Sequence, residues 1–237
     1  MVVCGTNEDI AMERERIDFL LEKHVDGLII IPSTKEGAHF GEALEGRKVP
    51  AVLVDLLVEG FESDAVLVDN ATGTYRAIHH LLKRGHRSFG FIGGDLQLTS
   101  ARERYEGFLS ALKDFNIEVP DEHIRFGDFH VESGYKLIGE LLEQKHPPQS
   151  IFISNYFMHI GAVRYVVEHR GTLTPDLFLA SFDDMELSSV TGIPSLTIAQ
   201  PVSKIGEEAA KLLLRRINGQ ETGPAHTKRL STKLVFH

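Results

Sequence analysis

Residues 65–94 read Ala65-Val66-Leu67-Val68-Asp69-Asn70, then Ala71-Thr72-Gly73-Thr74-Tyr75-Arg76-Ala77-Ile78-His79-His80-Leu81-Leu82, then Lys83-Arg84-Gly85-His86-Arg87-Ser88, and finally Phe89-Gly90-Phe91-Ile92-Gly93-Gly94. The opening Ala65–Val68 is a continuous apolar run, as expected of a strand covered on both faces. Tyr75, Ile78 and Leu82 repeat at helical spacing within Ala71–Leu82. A second apolar run, Phe89–Ile92, ends in two glycines. Strand, helix and strand in this order imply two parallel strands joined by a right-handed crossover.

The same alternation continues in both directions. Further apolar runs lie at Val2–Cys4, Leu28–Ile31, Ala51–Val54, Ile151–Ile153, Phe178–Phe182 and Leu196–Ala199. Helical spacing recurs in Ile10–Lys23 through Ile17, Leu20 and Leu21, and in Ala101–Phe115 through Phe108, Ala111, Leu112 and Phe115. It recurs again in Pro201–Ile217 through Ile205, Ala209, Leu212 and Leu213, with Pro201 fitting an early turn and Gly219 the stop. The expected class is α/β with doubly wound parallel sheets. The strands are too many for one compact sheet, and no Pro/Gly/Ser-rich linker divides the chain. Two lobes joined by several crossings satisfy both facts.

Composition removes several function classes. Lys and Arg number 25 against 34 Asp and Glu, a net charge of −9, and no basic block is present. This segment therefore lacks the cationic footprint of a nucleic-acid binder. A single cysteine, Cys4, rules out an intramolecular disulfide framework and reads as a buried thiol. No apolar run reaches the roughly 18 residues that a membrane span needs. Met1–Gly5 has neither the basic nor the apolar region of a signal peptide. A strand-like run at residue 2 reads as a beginning inside a domain.

In open α/β sheets ligands bind beyond the carboxyl ends of the strands. The residues there include Thr6, Asn7, Ser33, Thr34, Asp55, Asp69, Asn70, Asp95 and Ser100, and then Ser154, Asn155, Asp183, Asp184 and Gln200. Carboxylates and amides gathered on a rim suit a polyhydroxylated ligand. Each residue also suits a helix N-cap, and Asp69 and Asn70 read as caps first. Asp55 precedes Leu56-Leu57-Val58, which is no evident helix, so capping explains it less well. Asp183 fits either role. Arg104 lies in the first turns of a helix, where a cation opposes the macrodipole. That placement points to a ligand or anionic partner, or to a surface ion pair with Glu103 or Glu106.

Catalytic patterns are missing. No phosphate-binding glycine loop, serine nucleophile elbow, His-Glu-x-x-His or Cys-x-x-Cys occurs. His79 and His80 are adjacent on a helix and diverge by about 100°, too far apart to share a metal. Asp183-Asp184 has no companion that marks a phosphoryl-transfer site. No enzyme activity, metal or cofactor is expected.

At this point several segments carry a likeness. Val68-Asp69-Asn70-Ala71-Thr72-Gly73, Gly85-His86-Arg87, Ser100-Ala101-Arg102-Glu103-Arg104-Tyr105-Glu106-Gly107-Phe108, Gly127-Asp128-Phe129, Phe182-Asp183-Asp184 and Thr197-Ile198-Ala199-Gln200-Pro201 follow one another in order. Together they resemble the effector-binding domain of LacI/GalR-family transcriptional regulators, over essentially the whole chain. The resemblance implies the type I periplasmic-binding-protein fold: two doubly wound lobes joined by three crossings, with a ligand cleft between them. It implies a first lobe of residues 1–68 plus 201–218 and a second of 69–200 plus 219–237. It places effector contacts on Asp55, Ser100, Arg104, Phe129, Asn155 and Asp183. Phe129 becomes a stacking wall, and Arg104 and Asp183 become polar anchors. Four of the six are strand-end residues already singled out, Arg104 stands out by its helix position, and Phe129 carries no separate signal.

Two departures are visible. Tyr156 stands where the family commonly has Asp, either facing the ligand or weakening a helix cap, and Ser181 stands where it commonly has Gly. The DNA-binding headpiece and the first strand and helix of the first lobe are absent from this chain. The resemblance implies a cytoplasmic homodimer that senses a small sugar-like effector and meets operator DNA only through a headpiece outside this chain. An extracytoplasmic sugar-binding protein of a transporter and an α/β enzyme are the alternatives. Replacing Arg104 or Asp183 by Ala is expected to abolish effector binding with little change in thermal midpoint.

Overall fold

Side chains alternate across a strand, so a strand buried on both faces feeds two separate helical layers. The computed structural model describes residues 1–7, 9–44, 46–47, 49–171, 176–185 and 188–237. In chain order it contains α1 (Ile10–Glu22), β1 (Leu28–Ile30), α2 (Ala38–Leu44), β2 (Ala51–Val54), β3 (Asp64–Val68), α3 (Asn70–Lys83), β4 (Phe89–Gly93) and α4 (Thr99–Lys113). There follow β5 (Ile124–Phe126), α5 (Val131–Leu142), β6 (Ser150–Ile153), α6 (Tyr156–Glu168), β7 (Phe178–Phe182), α7 (Ser188–Thr191), β8 (Ser195–Ala199), α8 (Val202–Ile217), β9 (Thr227–Leu230) and β10 (Lys233–Phe236). The described chain divides into two units. The first gathers Met1–Val68, Leu98–Ser100 and Pro201–Leu230, and the second Asp69–Gln97, Ala101–Gln200 and Ser231–His237.

The first unit is built on a parallel sheet of order β1-β2-β3-β9. Leu53, Ala65 and Leu67 join Ile17 and Leu21 of α1 and Phe40 and Leu44 of α2 in one apolar cluster. Val52 and Val66, one residue out of phase, join Ala209, Leu212 and Leu213 of α8 in another. An ion pair closes this unit at the far end: Arg216 of α8 donates from Nε and Nη2 to the buried Asp64 carboxylate at 2.6 and 2.9 Å.

The second unit carries a sheet of order β10-β8-β7-β6-β4-β5, in which only β10 runs antiparallel. Ile92, Ile151, Ile153 and Leu179 cluster with Leu137, Ile138 and Leu141 of α5 and with Met158, Ala162 and Val166 of α6. On the opposite phase Phe91 packs its ring on Phe108 of α4 at 5.0 Å and on Phe152 at 5.9 Å. Removing one such buried ring would cost about 3–5 kcal/mol.

Three expectations are corrected. Val2–Cys4 is not a strand: β1 forms that edge of the sheet, no described strand pairs with Val2–Cys4, and Val2 and Val3 are exposed. Gly219 does not return the chain to the second unit, because Thr227–Leu230 pairs with β3 and only Ser231–His237 crosses back. Cys4 is half-buried rather than buried.

Candidate functional site

Because β4, β6, β7 and β8 are parallel neighbours, their carboxyl ends share one rim of the second unit. The residues just past those ends are Gly94, Ser154, Asp183 and Gln200. Helix α4 brings Arg104 to this rim. Its side chain is 5% exposed, so the guanidinium is buried rather than on the surface. Nε donates to Asn70 Oδ1 at 2.8 Å, and Nη1 donates to the Ser154 carbonyl at 2.6 Å. The guanidinium plane also lies over the Phe182 ring, 3.7 Å from its centroid. Charge-assisted hydrogen bonds of this kind contribute about 1.5–3 kcal/mol each. This burial changes the expectation for Arg104→Ala: the variant should lower the thermal midpoint. Removing this side chain strips two buried oxygens of a donor.

Asp183 follows β7 with φ at +71°. Its N–H donates to the Ile198 carbonyl at 3.1 Å, and its carboxylate accepts from Gln200 Nε2 at 2.5 Å. It is half-buried on the rim. Asp69 does cap α3, its carboxylate accepting from the Thr72 N–H at 3.3 Å. Asn70 begins that helix and serves Arg104, a role its reading as a cap concealed.

Phe129 is held in a left-handed turn, φ +67°, which is rare for a bulky side chain. The Asp128 carboxylate accepts from the His130 N–H at 3.0 Å and closes the turn from one side. That N–H, first among its contacts, holds the Asp128 carboxyl below its ordinary value. From the other side Asn155 Nδ2 donates to the Phe129 carbonyl at 2.9 Å. Asn155 Oδ1 accepts from the Met158 N–H at 3.1 Å, capping α6. Both polar ends of Asn155 are thus engaged with the protein. The Phe129 ring lies on Gly94, where an added Cβ would stand 1.9 Å from the ring.

The remaining two expected contacts are grouped with the first unit. Ser100 is buried in the opening turn of α4 and is grouped with the first unit. Asp55 follows β2 in the first unit, half-buried, with φ at +71° and its N–H on the Val66 carbonyl at 3.3 Å. The neighbouring loop is braced by charge: buried Glu13 accepts from the Ser33 N–H at 2.7 Å and meets His39 Nε2 at 2.7 Å. Asp55, Phe129 and Asp183, three of the six expected contacts, thus share left-handed backbone. That conformation is stored at ligand-binding turns more often than elsewhere. Among the described residues no group of three His, Cys, Asp or Glu side chains is placed to hold a metal ion.

Residues 78–236 match the family model described as a periplasmic binding protein-like domain. The chain is 33% identical over 218 residues to the HTH-type transcriptional repressor PurR of Serratia proteamaculans, covering 92% of this chain and 64% of that protein. It is 32% identical to PurR of Yersinia pestis, covering 99% of this chain and 69% of the relative. The chain belongs to the LacI/GalR family. A solved LacI-family transcriptional regulator from Enterococcus faecium with bound ribose superposes at a TM-score of 0.81 with 28% identity, covering 99% of this chain and 84% of that one. The chain thus spans just under two thirds of the Serratia repressor's length.

Within this LacI/GalR chain the two departures acquire a place. Tyr156 is the first residue of α6, 37% exposed, its ring 5.5 Å from that of Phe157. Asn155 keeps the cap, so Tyr156 does not weaken it. Ser181 is fully buried on β7.

Proposed function

We propose that this chain is the effector-sensing part of a LacI-type transcriptional regulator and that its effector is a small sugar-like molecule. The observation that carries the reading is the rim of the second unit. A buried guanidinium, a carboxylate bonded to an amide, and an aromatic ring on a glycine meet there on neighbouring strand ends. Carboxylate and amide groups take paired hydroxyl hydrogen bonds, and the ring covers the apolar face of a sugar. The ribose in the Enterococcus faecium relative supports this choice of ligand class. The named relatives are repressors, which favours a regulator over a transport protein or an enzyme.

In this reading the second unit's effector contacts are Arg104, Phe129 and Asp183, with Asn155 acting through Phe129, and Asp55 and Ser100 are the contacts proposed for the first unit. The effector binds one conformational state of the regulator better than the other and so shifts the DNA-competent population. Moving that population from about 1:99 to 99:1 takes about 5.5 kcal/mol of differential affinity. DNA contact, a homodimer and a cytoplasmic setting belong to the same proposal, with DNA met through a headpiece outside this chain. The test is a thermal-shift screen of sugars, sugar phosphates and nucleobases. A ligand that binds only the folded state raises the midpoint by mass action. A sugar should raise it, and a screen in which only nucleobases do so would replace the ligand class.

A further inference from the structure

His159 of α6 and Ser181 of β7 form a polar pair that the effector contacts do not include. The two residues are 1% and 0% exposed. His159 Nδ1 lies 2.9 Å from Ser181 Oγ, and Ser181 Oγ lies 3.3 Å from the Asp183 carbonyl. His159 Nε2 is buried and has no hydrogen-bond partner among the described residues.

The proton inventory selects one arrangement. A serine hydroxyl has one hydrogen, and a neutral imidazole has one N–H. If Ser181 donated to Nδ1, the imidazole proton would sit on Nε2 as a buried donor with no acceptor, and the Asp183 carbonyl would lose its bond. If Nδ1–H donates to Ser181 Oγ, the hydroxyl hydrogen is free for the Asp183 carbonyl, and Nε2 keeps only a lone pair. The second arrangement satisfies both donors and leaves the cheaper group unpaired.

We infer that His159 and Ser181 are positioning residues: a proton-ordered chain, Nδ1–H to Oγ and Oγ–H to the Asp183 carbonyl, holds Asp183 in its left-handed turn on the ligand rim. Its functional meaning rests on Asp183 being an effector contact, as proposed above. The turn needs such a brace, since φ +71° holds Asp183 in left-handed backbone that residues other than glycine rarely adopt. The Asp183 N–H on Ile198 and the carboxylate on Gln200 fix two of its three polar ends, and Ser181 fixes the third. Burial, and then the nearby His237, push the His159 imidazolium down to about 4, against a smaller opposing effect of Asp184. The ring is therefore neutral at pH 7, as a single-tautomer chain requires.

The test uses the ligand-free protein at pH 7. Nitrogen-15 NMR of the His159 ring should show a protonated Nδ1 and a bare Nε2; a proton on Nε2 overturns the chain. Amide exchange should be about fivefold faster at Asp183 in Ser181→Ala than in the wild type, the scale of one net hydrogen bond. The Phe91 amide in β4 should be unchanged. Unchanged exchange at Asp183 overturns the positioning role. The wild-type tautomer decides the first point even if the variant folds poorly. Neither readout needs an effector, so they fail independently of the effector reading, which Asp183→Asn tests by binding.

Discussion

Asn155 Nδ2 donates to the Phe129 carbonyl at 2.9 Å while its Oδ1 caps α6. One side chain thus joins a helix start to the strained turn that presents the aromatic wall. Asn155→Ala should lower stability by about 1–2 kcal/mol through the lost cap and weaken effector binding about tenfold through a loosened Phe129. Asn155→Asp keeps the capping oxygen and loses the donor. It should lose only the Phe129 hydrogen bond, about 0.5–1.5 kcal/mol and less than the alanine variant, which loses the cap as well, yet bind as weakly as the alanine variant. Denaturant unfolding and calorimetric titration of both variants separate the two roles.

Gly94 is small because Phe129 lies on it. A Cβ there would meet ring carbons at 1.9 and 2.1 Å, far inside contact distance. Gly94→Ala should displace the ring, weaken effector binding at least tenfold and destabilise by about 1–3 kcal/mol, the usual cost of overpacking. Pairing it with Phe129→Ala should recover the stability lost to the clash while binding stays weak. The thermal midpoints of the two variants and the double variant check this.

The fold class was legible because fully buried parallel strands announce themselves. Ala51–Val54 and Phe178–Phe182 were read with the bounds they have. The strands that sequence reading missed are β5, β9 and β10, each with exposed or half-exposed positions and mixed composition, as Thr227-Lys228-Arg229-Leu230 illustrates. A polar strand of this kind pairs through its backbone, which composition does not report. Val2–Cys4 failed the other way: three apolar residues do not make a strand without a neighbour to pair with. In the site, Arg104 was legible from its awkward place near a helix start. Its partners Asn70 and Phe182 were not, because they act through distances that no local pattern encodes. Phe129 had no pattern signal at all. Its distinguishing property is a backbone angle.

The Asp64–Arg216 pair ties β3 to α8, and Arg216 also reaches the Gly223 carbonyl at 2.6 Å. Arg216→Ala leaves a buried carboxylate without its counter-charge and should destabilise by about 3–5 kcal/mol. Burial acts to raise the Asp64 carboxyl, but the Arg216 hydrogen bond and charge and the His226 N–H outweigh it and hold it below its ordinary 3.8. A lowered carboxyl gives stability that is present above pH 3.8 and is lost as pH falls through the folded value. Acid unfolding below pH 4 should therefore be shallower in Arg216→Ala than in the wild type.

His159 gives a second pH window. Its folded value is pushed to about 4 against an ordinary 6.5, so the unfolded chain binds the proton more readily between those values. The stability it supports is complete above pH 6.5 and declines as pH falls toward 4, by an amount on the order of 3 kcal/mol. The drop in unfolding free energy from pH 7 to pH 4.5 should be clearly smaller in His159→Gln than in the wild type. Equal drops would remove His159 as the source.

We propose that the second unit's rim binds a hydroxylated small molecule through Arg104 and Asp183. Asp183→Asn keeps the size of the side chain and a residue type at ease in the left-handed turn, so its midpoint should stay near that of the wild type. The decisive measurement is calorimetric titration of wild type and Asp183→Asn with the sugar that raises the wild-type midpoint most. The wild type should show saturable one-site binding, and Asp183→Asn should bind at least a hundredfold more weakly. Equal affinity for the two proteins would rule out Asp183 as a contact of the ligand.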